Sequence, residues 1–175
     1  MLVNIEVPYY SQHDNEIDPG ATCNVTSLSM AISYYKASKL VTGPHKRIAD
    51  NISQYCLDHH LNHGDLTVIA NLARHYGLID DASFTTSFDQ IKAHLDRNNL
   101  VIVQGNFTAS GHVIVVVGYD DKRGLWYCND PAGHWPDYSG NTSGKGVAYD
   151  SKFFRAKAAP DGEVWAHRLN RPVAQ

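Results

Sequence analysis

The chain has 175 residues, a formal net charge of −3, 43% hydrophobic and 19% charged residues. That is one domain, 1–175, of ordinary globular composition, long enough to bury roughly 70% of its unfolded surface. The slight negative charge leaves no electrostatic case for nucleic acid or an anionic membrane surface as partner.

No apolar run approaches the ~20 residues of a membrane span. The segment Met1-Leu-Val-Asn-Ile-Glu-Val-Pro8 lacks the basic region and long apolar core of a secretory signal, so cytoplasmic synthesis is expected. Cys23, Cys56 and Cys128 are odd in number and have no paired spacing. This disfavours a disulfide framework and fits a reducing compartment. A monomer without a cofactor is expected.

In chain order, Val7 to Asn15 reads as a short strand or extended segment running into a polar loop. Pro19 and Gly20 then break structure, and Val25, Leu28, Ile32 and Tyr35 recur at helical spacing, predicting a helix over 23–36. A second helix is predicted over 45–60, with Ile48, Ile52, Tyr55 and Cys56 on one face and Pro44 suiting its first turn. A third takes Asp65 as N-cap, buries Val68, Ile69, Leu72, Ala73 and Tyr76, and ends at Gly77. A fourth opens with the capping box Ser87…Gln90 and carries Phe88, Ile91 and Leu95.

After Asn98 the pattern turns to strands: Leu100–Phe107, Gly111–Tyr119 and Leu125–Asn129, with 120–124 as the turn of a hairpin between the last two. Residues 133–146, rich in Gly, Ser, Asn and Pro, form a surface loop. Strands at 147–149 and 163–169 follow. Helices first and strands second means an α+β fold, with N-terminal helices packed on a C-terminal antiparallel β-sheet.

Cys23 falls where loop gives way to helix. A thiol there feels the positive end of the helix dipole and unpaired N–H groups, both favouring the thiolate. Free thiols ionise near a pH of about 8.5, so only a few per cent are reactive near neutrality without such help. Taken alone, a cysteine at a helix start is more often a small core residue. A thiolate nucleophile also needs a base and a group to orient that base. His112 begins the most apolar strand, where it is held rigidly. Asp130 closes the next strand, and each lies about ten residues from the hairpin turn, so antiparallel pairing sets them side by side. Asn129 is a rival for the orienting role. Gln12, in the loop ahead of Cys23, can supply a side-chain amide beside the Cys23 N–H as an oxyanion site.

Two metal readings compete. Cys56, His59, His60 and His63 cluster near the end of the second helix, with His59 and His63 four apart. No Glu fills the zincin position, and histidines at a helix end can simply bind the last carbonyls. Asp14, Asn15, Glu16 and Asp18 crowd one loop with calcium-type oxygens, but not in EF-hand order. No metal is assigned.

Val-Pro-Tyr-Tyr-Ser-Gln at 7–12, Thr-Cys-Asn-Val-Thr-Ser-Leu-Ser-Met at 22–30, Gly-His-Val-Ile-Val-Val-Val-Gly-Tyr at 111–119 and Asn-Asp-Pro at 129–131 together resemble the C39-like cysteine peptidases of the papain-like superfamily. The likeness runs from the first strand to about residue 154. It implies a papain-like fold with Cys23 as nucleophile, His112 as base, Asp130 as its orienter and Gln12 in the oxyanion hole. Many relatives have Gly after the cysteine, where this chain has Asn24. Asn24, Gly111 and Trp135 are expected at the substrate. The implied activity is hydrolysis of a peptide or amide bond through an acyl-enzyme. Peptidoglycan peptides are the expected substrate, reached by release or delivery from the cytoplasm. The alternatives are a papain-like binding module, or an acyltransferase with an amine acceptor.

Overall fold

Val113 to Val117 makes β4 (His112–Asp120) the centre of the sheet, and all nine of its residues are buried. The computed structural model describes residues 1–171. A strand buried on both faces needs cover on both. One side is covered by α1 (Cys23–Tyr34) and α3 (Leu66–His75), with α2 (Ile48–Asp58) packed on α1. The other is covered by α4 (Phe88–Leu95) and α5 (Ser151–Ala158), joined through a cluster of Phe88, Trp126 and Phe154.

The remaining strands are β1 (Leu2–Asn4), β2 (Ile79–Thr86), β3 (Val101–Gly105), β5 (Leu125–Asn129), β6 (Val147–Asp150) and β7 (Val164–Asn170). All described pairs are antiparallel, in the order β2-β7-β3-β4-β5-β6. The first half of β4 pairs with β3, and its far half, Gly118 to Asp120, pairs with β1 instead. At Gly118 a side chain is impossible, because a Cβ would lie 2.1 Å from the Val3 carbonyl oxygen.

The α+β architecture expected from the sequence is present, with several local differences. The first strand lies at 2–4 rather than at Val7, where the chain is extended but pairs with no strand. The second helix starts at Ile48, because the Asn51 side chain bonds the backbone N–H and C=O of His45 and holds residues 43–45 in a loop. It ends at Asp58, and His60 takes a left-handed φ of 54°. Cys56 and His63 therefore share no helix face, and among the described residues no three potential ligands come together. Strand β2 and helix α5 were not anticipated. The third and fourth helices begin at the expected caps: Asp65 accepts from Thr67 N, and Ser87 and Gln90 form the reciprocal box.

Candidate active site

Why α1 starts at Cys23 is settled upstream. Asn15 Nδ2 donates to the hydroxyls of Thr22 (2.9 Å) and Thr26 (2.8 Å). Thr22 stands at the N-cap position, yet its hydroxyl is held by Asn15 and makes no cap bond to the helix. No acidic side chain lies in the first turn. The helix end thus keeps its positive character for the sulfur of Cys23. The loop that carries Gln12 is tied down from α2: buried Asp50 accepts from Glu16 N and Ile17 N, both at 2.9 Å, and Arg47 donates to the Ser11 carbonyl.

His112, the first residue of β4, is 4% exposed. Its Nε2 donates to Asp130 Oδ1 at 2.7 Å, since a carboxylate only accepts. That fixes the tautomer and turns Nδ1 toward Cys23. The pair is not directly cross-strand, as simple counting from the turn suggests. A bulge between Val116 and Gly118 shifts the register so that Val115 faces Asn129. Asp130 then reaches His112 along the diagonal, still within side-chain range. Asn129 is removed from the contest: its amide donates to the Val7 carbonyl and accepts from Gly146 N.

Asp130 is fully buried and its carboxylate is saturated. Oδ1 also accepts from Ala132 N (3.0 Å), and Oδ2 accepts from the hydroxyls of Tyr149 (2.8 Å) and Tyr138 (3.2 Å). Burial, followed by the Asp130 charge, raises both phenols, so they remain donors. Tyr9 bridges the Asp130 carbonyl and Gly144 N. A Cβ on Gly144 would sit 1.8 Å from that carbonyl, which explains a glycine there.

Burial of His112 opposes its charge. The bonds to Asp130 and Cys23, with their negative charges, outweigh burial and hold its pKa up at about 9. The imidazolium is thus the favoured form near neutrality. Burial instead raises the thiols of Cys56, to about 11, and of Cys128.

Cys23, His112, Gln12, Asn24 and Gly111 all line one cleft of about 550 Å³, which Tyr138 also walls. Gln12 is 5% exposed; its Nε2 donates one hydrogen to the Pro19 carbonyl at 2.8 Å and retains a second, while its buried Oε1 has no partner. Asn24 is engaged with His63, accepting from its Nδ1 at 3.0 Å and donating to its carbonyl oxygen. Trp135 does not wall the cleft. It packs edge-on behind Tyr138 and against Phe153. Tyr138 was expected, with Trp135, to line the cleft from the 133–146 loop, but its bond to Asp130, and the places of Tyr9 and Tyr149 around that residue, have no local signal because the three come from separate segments.

No curated protein matches the chain. Its fold matches the crystal structure of a Bacillus anthracis protein described as a C39-like peptidase, at 16% identity and a TM-score of 0.62, with 98% of each chain covered. At that identity the likeness is one of fold. The model of the Peptidase C39 like family, by contrast, matches residues 4–151, from before Gln12 to beyond Tyr149, and the chain belongs to that family.

Proposed function

We propose that this protein is a cysteine peptidase or amidase that works through Cys23, His112 and Asp130. The observation carrying this reading is the buried 2.7 Å bond between His112 and Asp130, with Cys23 at the helix start on the same cleft. In the proposed cycle the Cys23 thiolate attacks the scissile carbonyl carbon. The Cys23 N–H and the free N–H of Gln12 hold the oxyanion. His112 gives its Nδ1 proton to the leaving amine as the C–N bond breaks. Water, deprotonated by His112, then attacks the thioester and returns free Cys23 with a carboxylic acid product.

The substrates placed first are peptides of the bacterial cell wall, met after release or delivery from the cytoplasm. Incubation with purified peptidoglycan and with peptide libraries, read by mass spectrometry, tests this. One water added per bond cut is expected. Addition of an amine instead would make the protein a transferase. Cys23→Ala should retain the wild-type melting temperature and lose turnover by at least about 10⁴. Substantial residual turnover in Cys23→Ala, or none in the wild type, would overturn the reading.

A further inference from the structure

Beside the Cys23 cleft lies a smaller groove of about 140 Å³, and the two share Gln104 and Gly111 as walls. Pro160, Asp161, Glu163 and Trp165 complete much of its lining. Trp165 pairs across the strands with Gln104, which puts both side chains on one face of the sheet, the indole one strand beyond the cleft. The indole is 42% exposed and meets the 44% exposed ring of Phe84 edge-on at 4.8 Å. An exposed aromatic pair beside a cleft offers rigid apolar area to a ligand that lies there.

The charge around the indole narrows what it contacts. Asp161 and Glu163 are exposed, and neither enters an ion pair among the described residues. The Lys157 ammonium lies over Trp135 and Phe153, not over Trp165. Asp161 Oδ1 accepts from Glu163 N at 3.3 Å, and a groove that carries an exposed π face and two carboxylates outside any ion pair attracts a cation. The groove is well below the ~300 Å³ of an independent small-molecule site, so it suits one side chain of a ligand already lying in the larger cleft.

We propose that this groove is a subsite for a cationic side chain of the substrate peptide, an amine or guanidinium seated on Trp165 between Asp161 and Glu163. That the occupant is substrate rests on the hydrolase reading above. The test uses matched peptides carrying lysine, norleucine or glutamate at each position in turn. Binding is measured by calorimetry on Cys23→Ala, and kcat/KM on the wild type. Lysine at one position should be favoured over norleucine about tenfold in both measurements. In Trp165→Thr, and in Glu163→Gln at an exposed position that does not threaten folding, the preference should fall to about twofold or less. Cleavage without a lysine preference, norleucine bound as well as lysine, or a preference surviving both substitutions overturns the subsite and leaves hydrolysis standing. Lysine-selective binding that depends on Trp165 without any turnover keeps the subsite and overturns the hydrolase reading. Absence of both turnover and binding overturns both.

Discussion

His112 is held by opposing forces of different origin, and the balance has a kinetic signature. Its pKa, raised to about 9, means the proton it would give to a leaving amine in the proposed cycle is present below that pH and lost as pH rises through it. The profile of kcat/KM should therefore fall on its basic side with a midpoint near 9. A basic limb well below 8 would show that this balance is misjudged. The carboxylate behind the ring is equally testable. Asp130→Asn keeps a partner for His112 but favours the wrong tautomer, so kcat should drop by about 10²–10⁴. Tyr149→Phe removes one of four bonds to that carboxylate, worth about 1 kcal/mol, and should lower kcat by about 3- to 10-fold with KM little changed. Equal losses in the two variants would point to general unfolding of the site, which thermal melts would register.

At the scale of elements, the loop that carries Gln12, the proposed oxyanion donor, depends on α2, a helix that itself contributes nothing to the cleft. Asp50 is fully buried and holds two successive N–H groups of that loop. Asp50→Ala should strand both donors, costing about 1–3 kcal/mol of stability, and lower kcat about tenfold by releasing Gln12. Asp50→Asn retains an acceptor oxygen and should recover most of the rate; failure to do so would assign Asp50 a different role. How much of this was legible in the sequence depended on whether the signal was local. Caps such as Asp65 and Ser87 with Gln90 are local chemistry, and they were readable. Strand β2 carries Asp80, Asp81, Ser83 and Thr85, so it lacks the apolar alternation of a strand and draws its order from pairing with β7. Helix α5 spans only eight residues behind its Asp150 cap. That Cys23, His112 and Gln12 would meet on one cleft was legible because each sits at an element boundary or in a motif. Asp130 was preferred to Asn129 on the hairpin count and the resemblance, but the one-residue bulge in β4 that brings Asp130 onto the diagonal of His112 has no local signal.

Across the whole molecule, the three free cysteines divide by environment. Cys56 and Cys128 are buried in the core, their thiols raised by desolvation, while Cys23 is half-buried on the cleft. Native protein should therefore take up one equivalent of iodoacetamide quickly, and three after denaturation, as read by intact mass. Two or more fast equivalents under native conditions would mean that the core opens. If uptake stops at one, the alkylating agent becomes a titrant: the fraction of molecules with a competent thiol can be counted in any preparation before a single substrate is known.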